Sequence, residues 1–331
     1  MFSLAFPLLA LLAGFVVLSL SADRLIASAA TLAKHSGASL VFIGMTVVAF
    51  GTSAPELLVS AVAALNGAEG LSVGNGIGSN IMNVGLVLGV CALVTPLIAH
   101  SRFIQKEFPI LVLAMALVAL LMANGELAGW DGVILLTALL AYCFYLSRCV
   151  INGEAEPEAL EFLAISKARA ALETVLMLAL LLGSSQVMVW GAVELARAAG
   201  ISELVIGLTV IAFGTSLPEL AAAVAGVRRG LHDIAFATVI GSNIFNLLGV
   251  IAFPALLGNG LQLPAPVMAR DVPAMAGLTA VVGLMFFAAV LRQRGQMNGR
   301  DGSYTLSRAG GGVLLVLFSG YMWQLGLSMS A

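Results

Sequence analysis

The chain carries one stretch twice: residues 44–83 read GMTVVAFGTSAPELLVSAVAALNGAEGLSVGNGIGSNIMN, and residues 207–246 read GLTVIAFGTSLPELAAAVAGVRRGLHDIAFATVIGSNIFN. The two copies align without a gap at a constant offset of 163 residues, with 18 of 40 positions identical. The identities cluster in TVxAFGTSxPEL and in IGSNIxN, while the residues between them share almost nothing except Gly67 and Gly230. Duplication followed by drift leaves this pattern when two short polar motifs are held fixed and the linking helix faces are free to change.

The composition around this repeat is that of a membrane protein. Hydrophobic residues make up 60% of the 331 residues and charged residues only 10%, with a mean hydropathy of +1.07. Ordinary soluble proteins carry roughly 25% charged residues. The few charges of this chain cannot cover the surface of a soluble protein of its size, so we expect a lipid bilayer to surround it. A net charge of −2 excludes a nucleic-acid binder that needs a basic face. The three cysteines, Cys91, Cys143 and Cys149, indicate packing and no disulfide framework.

Ten apolar stretches are candidates for helices that cross a hydrocarbon core about 30 Å thick. They fall at residues 4–22, 40–65, 71–99, 108–123, 132–147, 171–193, 203–227, 233–257, 272–291 and 309–328. The first has no basic leader or clear cleavage site, so we interpret it as a retained span. The fold predicted is an all-α polytopic membrane protein with ten transmembrane helices arranged as two inverted five-helix repeats, at 1–148 and 170–331, joined by a cytoplasmic linker at 149–169.

Positive charge is unevenly divided between the two sides that ten spans define. Loops after the odd-numbered spans hold 13 of the 15 lysines and arginines: Arg24, Lys34, Arg102, Lys106, Arg148, Lys167, Arg169, Arg228, Arg229, Arg292, Arg294, Arg300 and Arg308. The other side holds only Arg197 and Arg270. The positive-inside rule therefore predicts cytoplasmic odd-numbered loops and both termini outside. Because five spans separate the two copies, the second copy is predicted to enter the membrane from the opposite side, an arrangement that places a substrate site near the midplane.

Each copy contains a helix break followed by a carboxylate. The sequence Gly-Thr-Ser-x-Pro lowers helix propensity and removes one backbone donor, which frees carbonyls about one turn earlier, around Ala49 and Ala212. Glu56 and Glu219 follow the two breaks. A carboxylate within the membrane is costly and marks an ion or proton pathway, whereas the alternative is a protonated acid that braces the fold. Equivalent glutamates in both copies favour the ion pathway.

The second motif lies on the following helix, where polar residues recur at one-turn spacing. Ser79 and Asn83 in the first copy correspond to Ser242 and Asn246 in the second, and each asparagine follows its glutamate by 27 residues. We predict that these four side chains belong to the ion site, together with the hydroxyls of Thr52, Ser53, Thr215 and Ser216. Asn80 and Asn243 are interpreted as interhelical hydrogen-bonding residues, and Gly78 and Gly241 as positions that permit close helix approach. The donors are all hard oxygens, which suit sodium and calcium better than zinc or copper.

The two motif pairs, TVVAFGTSAPEL with IGSNIMN and TVIAFGTSLPEL with IGSNIFN, resemble the alpha repeats of the sodium/calcium exchangers in the cation/calcium antiporter superfamily. The likeness is closest to prokaryotic members, which lack a large regulatory loop. The resemblance implies a transporter rather than an enzyme, with no cofactor. It also implies the following ion ligands: Ala49, Thr52, Ser53, Glu56, Ser79, Asn83, Ala212, Thr215, Ser216, Glu219, Ser242 and Asn246.

The expected function is therefore exchange of Na⁺ for Ca²⁺ across the plasma (cell inner) membrane by alternating access. Spans 2, 3, 7 and 8 are expected to form the ion-binding core, and spans 1 and 6 to move against it. Asparagine at positions 83 and 246, where potassium-dependent relatives favour acids, predicts exchange that is independent of potassium. The alternatives are a proton/calcium or other cation antiporter on the same scaffold and a cation channel. The expected partners are the two ions and the lipid bilayer, and the oligomeric state is left open.

Overall fold

The computed structural model describes residues 2–67, 69–100, 103–148, 162–200, 212–257, 261–294 and 303–330. Its α-helices are α1 (Phe2–Ser36), α2 (Leu40–Ile43), α3 (Ala49–Thr52), α4 (Ala54–Leu65), α5 (Glu69–Met82), α6 (Leu88–Val94), α7 (Phe108–Leu121), α8 (Gly129–Arg148), α9 (Lys167–Ala198), α10 (Ala212–Thr215), α11 (Leu217–Arg228), α12 (His232–Phe245), α13 (Ala252–Leu257), α14 (Val272–Arg294) and α15 (Arg308–Ser330). Single π-helical segments, which often lie at functional sites, occur at Gly44–Val48, Asn83–Val87, Phe103–Glu107, Asn246–Val250 and Val267–Asp271.

The helices confirm a polytopic helical membrane fold. Eight of the described helical segments are long and apolar enough to cross a membrane: Leu4–Ser36, Gly70–Val94, Phe103–Leu121, Gly129–Arg148, Lys167–Ala198, His232–Leu257, Val267–Val290 and Arg308–Ser328. The pair Leu40–Thr52 and Ala54–Leu65, which bends by 42°, is a ninth crossing if it is counted as one span. The remaining predicted span, 203–227, begins outside the described residues and continues as α10 and α11. The count of ten therefore stays a prediction.

Short strands correct the expectation of a wholly helical chain. Strand β1 (Leu97–His100) pairs antiparallel with β4 (Ser303–Leu306), and β2 (Glu126–Leu127) pairs antiparallel with β3 (Leu261–Gln262). All four strands lie between candidate spans, where chain ends of neighbouring helices meet and their free backbone groups find partners in each other. The membrane-crossing part itself remains helical.

The strand pairs also restrict the topology, because two paired loops must lie on the same side of the membrane. In the predicted order, β1 follows span 3 and β4 follows span 9, so six crossings separate them. Strands β2 and β3 follow spans 4 and 8, so four crossings separate them. Both numbers are even, as pairing requires. An order that lacked the seventh crossing would give odd numbers for both pairs and would not fit, whereas the second span precedes all four strands and is not tested by the pairing.

Cysteine labelling tests this order directly. In a background in which Cys91, Cys143 and Cys149 are replaced by serine, we expect Arg228→Cys and Arg300→Cys to react only with cytoplasmic maleimide reagents. The same experiment with Ala331→Cys is expected to give labelling only from outside, because an even number of crossings puts the C-terminus beside the N-terminus. Labelling of Arg228→Cys and Ala331→Cys from the same side would contradict the inverted order.

The first helix is longer than its apolar sequence predicted. Helix α1 has 35 residues, which corresponds to about 50 Å, instead of ending near residue 22. Arg24 and Lys34, which were predicted to lie in a loop, are therefore helical residues. The charge of Arg24 is accommodated because its Nη2 lies 2.6 Å from Oε2 of Glu173 on α9.

The last residues of the predicted linker are helical. Residues 149–161 lie outside the described part of the chain, and α9 already begins at Lys167. Just before it, the backbone nitrogen of Leu163 donates to Oγ1 of Thr31 at 3.0 Å, and Nζ of Lys34 lies 4.1 Å from the centroid of the Phe162 ring. The described end of the linker is thus packed against α1, and the linker as a whole stays a prediction.

Burial identifies the centre of the fold. In the 18-residue apolar stretch of each candidate span, 100% of the residues of His232–Leu257 and 72% of those of Gly70–Val94 are buried inside the protein. The corresponding share in the other six candidate spans is 17–33%. These two central segments are the ones that carry the IGSNIxN motifs. A helix that is apolar all round and enclosed by other helices can place polar side chains away from lipid. The fold therefore brings both copies of the second motif into its interior.

Candidate ion-binding site

The first helix break positions Glu56. The helical segment from Leu40 ends at Thr52, and Ser53 leaves the helical conformation with φ −82° and ψ 0° before α4 begins. Pro55 occupies the first turn of α4, where its missing N–H breaks no helical hydrogen bond. Glu56 follows in the same turn, and its side chain is only 1% exposed.

The second break repeats this geometry. Ser216, with φ −90° and ψ 2°, separates α10 from α11, and Pro218 again lies in the first turn. Glu219 follows and is 0% exposed. Sequence alone predicted both breaks and both carboxylates at these positions. The burial of both carboxylates is the property that a pathway residue within a membrane protein requires.

Hydroxyl groups from both halves of the chain surround Glu219. Oγ of Ser53 donates to its Oε1 at 3.3 Å, and Oγ of Ser242 lies 3.5 Å from the same oxygen. The Thr52 hydroxyl, on the residue before Ser53, bonds to the Ala49 carbonyl. Ser53 and Thr52 belong to the first break, so the first copy of the motif contributes directly to the carboxylate of the second.

The Ala49 carbonyl joins the same group. Oγ1 of Thr52 lies 3.2 Å from this oxygen, and Oγ of Ser242 lies 3.4 Å from it. The backbone nitrogen of Ser53 also donates to it, at 3.0 Å. The carbonyl one turn before the break therefore lies among the hydroxyls, but the prediction that the break frees it is wrong: the Ser53 N–H still bonds to it, because the donor that Pro55 lacks would have served residue 51. For Ala212, the predicted equivalent, the structure describes the backbone of α10 but not the surroundings of its side chain.

The two carboxylates flank the first helix break, because Glu56 follows Ser53 by three residues and Oγ of Ser53 donates to Glu219. One oxygen of each, Oε2 of Glu56 and Oε2 of Glu219, is buried and has no hydrogen-bond partner among the described residues. Buried acceptors without donors are uncommon in folded proteins, and each of them calls for an explanation such as an ion. The pair therefore presents two carboxyl oxygens that the described protein groups leave unsatisfied.

The asparagines of the second motif are buried as predicted. Asn83 and Asn246 are 1% and 0% exposed, and Oδ1 of each has no hydrogen-bond partner in the described part of the chain. Nδ2 of Asn83 donates to Oδ1 of Asn243 at 3.1 Å. Oγ of Ser216 is likewise buried without a partner within the described ranges. These unpartnered oxygens add neutral ligands to the two carboxylates.

Of the twelve predicted ligands, the structure shows all but Ala212 to be buried: Ala49, Thr52, Ser53, Glu56, Ser79, Asn83, Thr215, Ser216, Glu219, Ser242 and Asn246. Direct contacts join the first break, Glu219 and Ser242. Within the described residues, no group of three or more His, Cys, Asp and Glu side chains forms a metal cluster. An ion here would depend on two carboxylates and neutral oxygens, the hard donor set of sodium and calcium.

Sequence reasoning missed one polar contact beside this group: Asn75 donates from Nδ2 to the backbone oxygen of Glu56 at 3.0 Å. The interhelical role predicted for Asn80 and Asn243 is confirmed, since Nδ2 of Asn80 donates to the backbone oxygen of Asn243 and Oδ1 of Asn243 accepts from Asn83. The signal for Asn75 was present, because it lies one helical turn before Ser79 on the same face. The partner of the Asn243 side chain could not be predicted from the sequence, because it depends on how the two central segments cross.

Close backbone approach occurs at Gly241. A Cβ at this position would lie 2.7 Å from Cβ of Ala49 and 3.2 Å from Cα of Met45. The predicted role of Gly241 in close packing is thus present in the structure. At Gly78, the equivalent residue, no described atom lies within 4 Å of such a Cβ, so the prediction does not hold there within the described residues.

Gly241→Ala is expected to reduce calcium transport by about tenfold or more, because an added methyl must displace the helix that carries Ala49. Overpacking of this kind typically costs about 1–3 kcal/mol of stability. Transport in proteoliposomes and thermal unfolding of the purified protein measure the two effects. Gly277→Ala is the matched control, since it lies in α14 with nothing within 4 Å of an added Cβ. Equal behaviour of the two variants would contradict the packing role.

A model of the sodium/calcium exchanger protein family matches residues 6–148 and 170–326 of the chain. The chain belongs to this family. The matched segments cover the two halves that the internal repeat predicted, and the exchanger family comprises transporters.

Curated relatives agree with this assignment. A putative antiporter, CaxA, of Alkalimonas amylolytica is 38% identical over 95% of this chain and 97% of its own length. The sodium/calcium exchanger MaX1 of Methanosarcina acetivorans is 32% identical over 75% of this chain and 82% of its own. The human sodium/potassium/calcium exchanger 1 is 37% identical over only 34% of this chain and 11% of its own.

Solved exchangers share the fold. The sodium-calcium exchanger NCX_Mj, in a crystal soaked with 10 mM Na⁺ and no Ca²⁺, superposes with a TM-score of 0.81 at 31% identity. The superposition covers 97% of this chain and 99% of that one. Exchanger architecture thus extends over nearly the whole described chain.

Proposed function

We propose that this exchanger-family protein is an antiporter that exchanges Na⁺ for Ca²⁺ across the plasma membrane by alternating access. The observation that carries the proposal is the buried pair Glu56 and Glu219, each with an unsatisfied oxygen, surrounded by hydroxyls from both halves of the chain. The ligands proposed are Ala49, Thr52, Ser53, Glu56, Ser79, Asn83, Ala212, Thr215, Ser216, Glu219, Ser242 and Asn246. The names of the relatives and of the superposed exchanger support the same ions.

The charge of the site favours binding of the divalent ion Ca²⁺, with the monovalent ion Na⁺ as its competitor. Two carboxylates give the ion-free site a formal charge of −2, and buried charges without partners are strongly unfavourable. One Ca²⁺ neutralises this charge, and two Na⁺ do the same. The surrounding hydroxyls and the Ala49 carbonyl provide oxygens for a third Na⁺, which makes three-for-one exchange the proposed stoichiometry. Asn83 and Asn246 are neutral, so no third carboxylate is available for a co-transported K⁺.

The packing of α1 and α9 supports the proposed movement. These two long helices are joined by the Arg24–Glu173 pair, and Arg169 binds the other oxygen of Glu173 at 2.9 Å. A partly exposed ion pair, Arg229 Nη2 to Asp23 Oδ2 at 2.5 Å, joins α1 to the residue that follows α11. Partly exposed ion pairs contribute about 0–1 kcal/mol, which is small enough to break in each cycle. We propose that α1 and α9 move together against the central helices, with both termini outside the cytoplasm.

Calcium flux in proteoliposomes under an imposed sodium gradient, with the proton gradient collapsed by an ionophore, tests the function. We expect calcium uptake that needs sodium on the opposite face. Uptake that persists without sodium but follows a pH gradient would favour the proton/calcium alternative. Calcium movement that needs no counter-ion and conducts passively would favour a channel.

A further inference from the structure

The two central helical segments meet through an amide pair that the repeat does not predict. Nδ2 of Asn83 donates to Oδ1 of Asn243 at 3.1 Å, and both residues are 1% exposed. Because the nitrogen end of the Asn83 amide is occupied by this bond, its oxygen end points elsewhere. That oxygen is buried and has no hydrogen-bond partner in the described chain.

A carboxamide offers a cation two unequal ends. The carbonyl oxygen binds a cation, whereas the NH₂ group repels it, and a half-turn about the last side-chain bond exchanges the two. We propose that Asn243 is a positioning residue that fixes the Asn83 amide with its oxygen toward the transported ion. This inference rests on the proposed function, since it requires Asn83 to be a ligand.

The second half of the chain lacks the matching bond. Asn80 occupies the position equivalent to Asn243, but its Nδ2 donates to the backbone oxygen of Asn243 at 3.3 Å and contacts Sδ of Met275 at 3.7 Å. Neither Nδ2 nor Oδ1 of Asn246 has a hydrogen-bond partner among the described residues. The orientation of Asn83 is thus set before an ion arrives, while the amide of Asn246 is free to turn as ions of different charge bind.

A double-mutant cycle in proteoliposomes separates positioning from a general structural role. Asn243→Leu removes the acceptor, and we expect the calcium KM to rise by about tenfold, the scale of one lost hydrogen bond at a buried site, with little change in the maximal rate. In the Asn83→Asp background the same substitution is expected to change KM by less than about twofold, because both ends of a carboxylate are oxygens. Asn243→Ala lacks the acceptor without the added bulk and is expected to behave as Asn243→Leu does.

Two further variants complete the test. Asn243→Asp keeps an acceptor for Asn83 and is expected to retain a calcium KM within about threefold of the wild type, a much smaller change than that of Asn243→Leu. Asn80→Leu removes an equivalent buried amide that does not contact Asn83, so its effect on KM is expected to be the same in both backgrounds.

An unchanged KM in Asn243→Leu and Asn243→Ala would overturn the inference, as would a rise of equal size with Asn83→Asp. If the calcium KM of Asn243→Asp rises as much as that of Asn243→Leu, positioning through the acceptor is also excluded. Absence of sodium-driven uptake by the wild-type protein would instead refute the proposed function.

Discussion

Replacement of either site glutamate by glutamine, Glu56→Gln or Glu219→Gln, is expected to abolish sodium-driven calcium uptake in a protein that still inserts and folds. Two unit charges 4 Å apart interact by about 4 kcal/mol at the effective dielectric constant of about 20 that suits protein sites. Loss of one carboxylate therefore weakens calcium binding by at least about 100-fold. Glutamine keeps nearly the same volume, so the loss does not follow from a cavity.

The Glu219→Gln variant adds a second unfavourable effect. Hydroxyls of Ser53 and Ser242 approach Oε1 of Glu219, so the amide oxygen of a glutamine is expected to take that position. Its NH₂ group then replaces the unpartnered Oε2 and directs hydrogens toward the ion. We therefore expect Glu219→Gln to be at least as severe as Glu56→Gln.

Glu194→Gln serves as the matched control. It removes the same charge, but Glu194 is partly exposed at the end of α9 and pairs with Arg197 at 2.8 Å. Calcium uptake should stay near the wild-type rate, and size-exclusion profiles of all three variants should match. Near-normal uptake by either site variant would exclude that glutamate as a ligand.

Membrane potential is expected to change the calcium gradient that the protein maintains by about 50-fold per 100 mV. Three Na⁺ exchanged for one Ca²⁺ move one net charge, and one charge across 100 mV corresponds to about 2.3 kcal/mol. That energy equals about 50-fold in a concentration ratio. The measurement sets the potential of the vesicles with a potassium ionophore and follows calcium at equilibrium. A gradient that does not respond to voltage would indicate two Na⁺ per Ca²⁺.

Potassium dependence is tested separately and without an ionophore, by comparing vesicles that have no potassium on either side with vesicles to which potassium is added. We expect sodium-driven calcium uptake at the same rate with and without potassium, because Asn83 and Asn246 supply no additional negative charge. A requirement for potassium would contradict this role of the asparagines.

Much of the site was predictable because its signals are local. The sequence Gly-Thr-Ser-x-Pro, directly before a glutamate, lowers helix propensity and removes a backbone donor whatever its neighbours are, and both breaks lie where the sequence predicted them. The spacing of Ser79 and Asn83 is one helical turn, which places both on one face regardless of the neighbours. Burial of Glu56 and Glu219 followed from the high cost of exposing a carboxylate to lipid.

Other features were not predictable because they depend on partners far away in the sequence. Helix α1 continues through Arg24 because Glu173, 149 residues later, neutralises the charge. Apolar periodicity alone ended that span at the first charged residues. The strand pairs β1–β4 and β2–β3 likewise join segments more than 130 residues apart. Strands of two or four residues are too short to show a sequence pattern that predicts them.

The sequence by itself determined the membrane class, the duplicated motif, the two helix breaks and the residue types of the site. Each of these follows from local chemistry: apolar length, missing backbone donors and one-turn spacing. Only the tertiary structure decided that Ser53 of the first half contacts Glu219 of the second, and that Asn243 rather than Asn80 accepts a hydrogen bond from the last asparagine of the other half's motif. The two copies carry the same motifs, so their local sequence offers the same hydrogen-bonding groups in both halves. The crossing of the central helices selects among them, because each amide or hydroxyl bonds to whichever group the neighbouring helix brings within about 3 Å.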